Sequence, residues 1–203
     1  MALIHISESK HTVQNSLKKA RAIKKLKPDI VIFEYPKDSE PGIYYNKFSP
    51  NKKPLVKFNK VKQGLTKGAR KHPWLAGDVK IFEEIENLWS SGKQVLLFNM
   101  DGPRELTVLC DKIVKSQNRF HFDVWNYCRE QYMIKTIKQV RAKHPKAKII
   151  VLCHNSHWES IKFLLSNPSK QAIKKYYFAR HKHPDFSLKD AKVLRKYWAR
   201  LLG

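Results

Sequence analysis

The sequence predicts an α/β fold: a mostly parallel sheet of at least four strands flanked by helices, with a long basic insertion after strand two and a helical C-terminus. Three observations carry that expectation. The runs Ile30-Val31-Ile32-Phe33 and Ile149-Ile150-Val151-Leu152 are continuously apolar and largely β-branched, as strands buried on both faces are. Helical periodicities separate the strand candidates, and alternating strand and helix patterns build parallel sheets from βαβ units. The 203 residues, 42% hydrophobic and 11% aromatic, suffice for a core, so residues 1–203 read as one domain.

The elements follow in order. Strand one is expected over residues 2–6. A helix over 10–26 places Val13, Leu17, Ala20 and Ile23 on one face, and Lys27-Pro28-Asp29 stops it. Strand two covers 30–34. From Tyr35 to Gly77 the periodicity fails among prolines, lysines and rings, including Tyr44, Tyr45, Phe48, Phe58 and Trp74. Loops of that length are functional lids or flexible arms, and residues 35–77 are expected to form an inserted basic lid or arm. Order resumes with a helix over 78–91, striped by Val79, Phe82, Ile85 and Leu88, and strand three over 94–98. Pro103 opens a helix over 103–114. A long helix over 121–144 and strand four over 147–153 come next, followed by a helix over 157–165. Ser187-Leu188-Lys189-Asp190 reads as a capping box opening a last helix to Leu202.

Composition limits the function classes. No apolar run approaches the roughly 18 residues of a membrane helix, and the first strand follows Met1 directly, so no signal peptide and no membrane partner are expected. Cys110, Cys128 and Cys153 are odd in number and lack C-x-x-C spacing; they read as small core residues of a reduced, cytoplasmic protein. Against 17 acidic residues stand 41 Lys and Arg, a formal charge of +24. Such an excess attracts polyanions, nucleic acid being the usual one. The alternative is a lysine-rich surface set by composition or solubility, since the charges spread evenly along the chain.

Chemistry is expected where strands end. In open α/β sheets ligands bind outside the carboxyl ends of the strands. His5, in Ala2-Leu3-Ile4-His5-Ile6-Ser7, lies at one such end, and Glu34 closes strand two. His157 follows strand four in Cys153-His154-Asn155-Ser156-His157. Together they suggest one crevice. The other reading is that junction residues are polar anyway and cap neighbouring helices.

The order of these motifs resembles the TraB/Tiki superfamily, which includes the erythromycin-esterase-like and ChaN-like proteins. His5 and Ser7 match the family's Gly-Thr-x-His-x-Ser strand end, without its Gly-Thr. Lys27-Pro28-Asp29 through Glu34 is similar to its Lys-Pro-Asp and Glu-ending strand. Leu97-Phe98-Asn99-Met100-Asp101 resembles the Asp-rich turn, and Arg129-Glu130-Gln131-Tyr132-Met133 the helical Arg motif. Ser156-His157 matches the end of Gly-x-Gly-His, with His154 in place of the first glycine. The resemblance implies hydrolysis of a peptide or ester bond, in some members with a divalent metal; others bind haem or have no known activity. An inactive member acting as a basic nucleic-acid or nucleoprotein-binding protein is the alternative.

The residues suit that frame. A neutral imidazole is a general base or a metal ligand near pH 7, and a carboxylate orients it or shares the metal. His5, Glu34 and His157 are therefore the expected catalytic residues and the expected ligands of a divalent metal. Arg129 is expected to bind a substrate anion or oxyanion, or else to be a helix-surface ion-pair partner. Glu130 projects about 100° round the helix from Arg129, so at most one of the two is expected to face the site. Asp101 supports the site as a further acid or caps the helix at Pro103. His154 belongs to the turn or shares a metal with His157. His181 and His183 read as solvated, and His144 as a charge near the end of its helix.

Overall fold

The two apolar runs become the central strands of a sheet covered on both faces. The structure, a computed structural model, describes residues 3–6, 12–36, 56–73, 75–115, 117 and 119–178. In chain order these form β1 (Leu3–His5), α1 (Val13–Leu26), β2 (Ile30–Pro36), α2 (Val56–Ala69), α3 (Leu75–Ser90) and β3 (Leu96–Asp101). There follow α4 (Arg104–Thr107), α5 (Cys110–Lys115), α6 (Arg119–Lys143), β4 (Ile149–Leu152), α7 (Asn155–Leu165) and α8 (Lys170–Phe178). The strands lie in the order β1-β4-β2-β3, and every pairing is parallel. The α/β class with an all-parallel four-stranded sheet is the one the sequence predicts.

Side chains alternate across a strand, and the two cores follow that alternation. Ile30, Ile32, Ile149 and Val151 face a core with α6 and α7, built on Val124, Cys128, Ile137, Ile161 and Leu164. Their neighbours Val31, Phe33, Ile150 and Leu152 face the opposite core with α1, α2 and α3. At the amino ends of the strands, Asp29 ties the layers together. Its backbone N–H donates to the Lys148 carbonyl at 3.0 Å, and its carboxylate accepts the Lys148 N–H at 2.7 Å and pairs with Lys93. Burial raises the Asp29 pKa, but its bonds to Lys93 and Lys148 outweigh that and leave it below the usual value. The Lys-Pro-Asp motif thus supports the sheet at the end remote from the strand termini that carry Glu34 and Asp101.

Helix α1 begins at Thr12, whose hydroxyl accepts the Asn15 N–H at 3.2 Å, and ends at Lys27 with φ 44°. Between α1 and α3 the approach is close. A Cβ on Gly77 would lie 2.5 Å from Ser16 Cβ and 2.9 Å from the Val13 carbonyl oxygen. Beside it, Ser16 Oγ donates to Asp78 at 2.6 Å. Gly77→Ala therefore forces the helices apart. It will lower stability by about 1–3 kcal/mol, the usual cost of overpacking, although alanine favours helix by about 1 kcal/mol. The urea midpoint measures it; an unchanged or higher midpoint would show that the packing relaxes freely.

Several elements differ from their expectation. Residues 56–69, expected within an aperiodic lid or arm, include helix α2, which sets Phe58, Val61 and Leu65 against the core under α3. The Phe58 ring lies 5.0 Å from Phe82 and 4.7 Å from Trp89. Gly64, Gly68 and a run of lysines mask its apolar stripe in sequence. The helix expected over 103–114 is divided into α4 and α5, and α8 has no counterpart among the expected elements. Cys128 and Cys153 are buried free thiols, with burial pushing the Cys128 thiol up to about 12. Residues 37–55, His181, His183 and the capping box at Ser187 lie outside the described residues.

Candidate functional site

Glu34 and Asp101 sit at the carboxyl ends of adjacent strands. The β2–β3 register runs from Phe33 opposite Asn99 to Pro36 opposite Asp101, which leaves one extra residue on β2 beside Glu34. Such bulges bend a strand and redirect side chains near functional sites. Arg129 reaches both carboxylates from α6. Its Nε donates to Asp101 Oδ1 at 3.0 Å and its Nη2 to Asp101 Oδ2 at 2.6 Å, a forked pair. The same Nη2 donates to Glu34 Oε1 at 3.2 Å. Behind it the guanidinium carbon stands 4.6 Å from the Trp125 ring centroid, a cation–π contact. Burial lowers the Arg129 pKa, but the Asp101 bond and the charges of Asp101, Glu34 and Glu130 outweigh it and raise it overall.

His157 enters from the first turn of α7. Its Nδ1 lies 2.8 Å from Glu130 Oε1, and its Nε2 lies 3.4 Å from both Arg129 Nη1 and Glu34 Oε1. Tyr177 of α8 donates its hydroxyl to the other Glu130 oxygen, so both oxygens are engaged. Burial pulls the His157 pKa down, Glu130 and Glu34 push it up, and Arg129 opposes them; the net direction is upward. For Tyr177, burial and the neighbouring Glu130 charge act together and push the phenol well above its ordinary value. The phenol is therefore a hydrogen-bond donor throughout the physiological range.

His154 caps α7. Its Nδ1 accepts the Ser156 N–H, and its own backbone N–H donates to Glu34 Oε2 at 2.8 Å. Glu34 thereby joins the end of β2 to the β4–α7 turn as well as to Arg129. Asp101 also accepts the following Gly102 N–H at 2.6 Å, which fixes the carboxylate for its bond to Arg129.

Of the residues expected at the site, Glu34, Asp101, Arg129 and His157 thus meet in one hydrogen-bonded cluster. His5 does not join it. Its Nε2 lies 3.0 Å from the Cys153 carbonyl oxygen, and its ring stacks on Trp158 with centroids 4.7 Å apart. The reason is topological: β4 lies between β1 and β2, so the edge strand delivers His5 against the β4–α7 turn. Burial lowers the His5 pKa, the Cys153 bond opposes it, and Lys19 and Lys162 lower it further. His5 is thus engaged at the β4–α7 turn, and the cation between Glu34 and Asp101 is the guanidinium of Arg129. Among the described residues, no group of three or more His, Cys, Asp and Glu is placed to hold a metal.

Two site residues differ from the sequence reading. Glu130 and Arg129 both contact His157, although they are consecutive on α6. The helical-wheel argument treats side chains as short spokes, whereas two long ones straddle a partner seated between them. Sequence reasoning misses Tyr177, because it lies on α8 in a stretch that reads only as basic and aromatic. Its signal is Ile173 four residues earlier, which places both on one helical face packed against the α6–α7 core. Arg129, Glu130 and His157 form part of the wall of a cavity of about 700 Å³ between α6, α7 and α8. Comparison of the chain with protein-family models, with curated proteins and with solved structures gives no match.

Proposed function

We propose that the protein is a hydrolase of the TraB/Tiki type, cleaving an ester or peptide bond with His157 as its acid–base group. The observation that supports this most is the Glu130–His157 pair at the cavity wall, with Arg129 beside the imidazole. Glu130 orients the ring through Nδ1 and stabilises the imidazolium, as the acid of a catalytic triad does. Neutral Nε2 then takes a proton from water as the water oxygen bonds to the acyl carbon. Arg129 keeps Asp101 and Glu34 on Nε and Nη2 and donates from Nη1 to the carbonyl oxygen as its charge develops. The imidazolium returns the proton to the departing alcohol or amine as the acyl bond breaks, so proton and charge balance. Asp101 and Glu34 hold Arg129 in place, and Tyr177 holds Glu130. His5 is a structural residue in this scheme.

Ester hydrolysis by the purified chain tests the proposal. Activity should rise with pH through the pKa of His157, which lies above its ordinary 6.5. Glu130→Gln should shift that rise toward lower pH while lowering the rate, because the charge that raises the pKa is removed. Activity independent of His157 would overturn it.

A second reading, polyanion binding, is supported by α1. Lys18, Arg21 and Lys25 are exposed on one face of a helix without a single acidic residue. If that face binds nucleic acid, affinity should fall steeply with salt. Replacing all three by glutamine should then flatten the salt slope by roughly 0.9 for each phosphate that is no longer neutralised. Binding at low salt that is unchanged in the triple variant would place any nucleic-acid surface elsewhere. Among the described residues no helix is long and apolar enough to cross a membrane.

A further inference from the structure

The cavity between α6, α7 and α8 differs in charge from the rest of a +24 chain. Among the described residues each cation in its wall is matched by a carboxylate: Arg119 by Asp123 at 3.1 Å, Arg129 by Asp101, and His157 by Glu130. Glu34 adds a further negative charge against Arg129 and His157. Among the described residues of the wall, an entering anion would meet no cation without a carboxylate partner. Arg119 pairs at the surface, its side chain 60% exposed, but displacing the partner of Arg129 or His157 would separate a buried pair and leave Asp101 or Glu130 charged and unmatched at 2% and 3% exposure, which is strongly unfavourable.

The remaining wall is aromatic and neutral. Phe122 and Trp125 come from α6, and Tyr176 and Tyr177 from α8. The Tyr176 ring is already stacked on Phe163 at 4.3 Å, which fixes its plane, while the residue stays 46% exposed. Asn126, Ser156 and Ser160 supply neutral polar groups to the same lining. A volume of about 700 Å³ falls in the range that encloses small organic ligands, which extends from about 300 to 1,000 Å³. Aromatic walls favour a flat ring, which stacks on them or meets their edges.

We propose that this cavity takes an uncharged ligand carrying an aromatic ring and a carbonyl, an aryl ester or aryl amide, as the substrate of the site. The inference rests on the hydrolytic reading of His157. Tyr176 is then a specificity residue, since it offers an exposed ring at the cavity and is absent from the Arg129–Glu130–His157 cluster.

Three naphthyl probes on the full chain test this. Calorimetry compares 2-acetonaphthone, a neutral ketone that cannot be hydrolysed, with 2-naphthoate, its anionic counterpart, and a separate assay follows hydrolysis of 2-naphthyl acetate. The ketone should bind more tightly than the carboxylate by roughly tenfold, the least that one unmatched buried charge implies. Tyr176→Ala should weaken ketone binding by about fivefold or more, within the usual value of an aromatic pair. Equal or tighter binding of the carboxylate, or no binding of the ketone, would overturn the ligand class. If the ketone binds as expected but the ester is not cleaved faster than by His157→Ala, the ligand class stands and the hydrolytic reading fails. If cleavage depends on His157 while ketone and carboxylate bind alike, the hydrolytic reading stands and the ligand class fails.

Discussion

Arg129→Ala will destabilise the protein by about 3–5 kcal/mol, the usual loss when one partner of a buried ion pair is removed. Asp101 is 2% exposed and turns both oxygens toward the guanidinium. Without Arg129 its desolvation is offset, among the described residues, only by the Gly102 N–H. Glu34 loses the guanidinium as well, although it keeps the His154 N–H and the His157 ring at 3.4 Å. The Trp125 ring loses the group that covers one face, so packing weakens together with charge pairing. Equilibrium unfolding in urea gives the loss. The double variant Arg129→Met with Asp101→Leu should recover much of it, because replacing both members of a buried pair by apolar residues is often neutral or stabilising. A single variant as stable as the parent would mean that Arg129 is solvated and the cluster loose.

On the proposed hydrolytic reading, His157→Ala will lower ester hydrolysis by about 10²–10⁴, the range that a positioned acid–base group supplies. Stability will also change, and its pH dependence has a definite sign. The His157 pKa is raised in the folded chain, so its contribution is fully present below the unfolded value near 6.5 and is lost as pH rises through the folded value. His5 behaves oppositely. Its folded pKa is lowered, so the folded state resists protonation and stability falls as pH drops below 6.5. Each tenfold difference in proton affinity between folded and unfolded chain is worth about 1.4 kcal/mol. Urea midpoints for the parent and for His157→Ala across pH 5–9 separate the two, because only the alkaline decline should vanish in the variant. A decline that persists unchanged would assign it to another group.

The sheet was legible because burial on both faces leaves a plain signature. Ile30 to Phe33 and Ile149 to Leu152 have no polar residue to interrupt them, and each became a central strand. Edges and surface helices carry less information. Strand β1 pairs with β4 over only three residues, and α2 hides its apolar face behind lysines and two glycines. The α4–α5 break likewise leaves no mark as strong as the proline that opens the segment. Strand order is a further matter. Nothing in the local pattern of β1 says that β4 will insert between it and β2, and that insertion separates His5 from Glu34.

The candidate site was legible to the same degree. Glu34 and His157 follow apolar runs, and the rule that ligands gather at strand ends brings them into view. Arg129 and Asp101 stand out because the resemblance aligns them with those strand ends. Glu130 and Tyr177 were hidden because their roles depend on how α6, α7 and α8 pack, which adjacent-residue geometry on a single helix does not reveal. His154 shows the converse: a candidate ligand by its spacing from His157, it serves as the cap of α7. Its backbone N–H, invisible in any motif, holds Glu34.

Glu130 holds the His157 imidazole through Nδ1 beside Arg129. Nuclear magnetic resonance titration of the His157 ring, in the parent and in Glu130→Gln, measures that coupling. The parent imidazole should titrate above 6.5, with its midpoint moving down in the variant as the stabilising charge is lost. A parent His157 that titrates at or below 6.5, unmoved by Glu130→Gln, would contradict the pairing and the chemistry built on it.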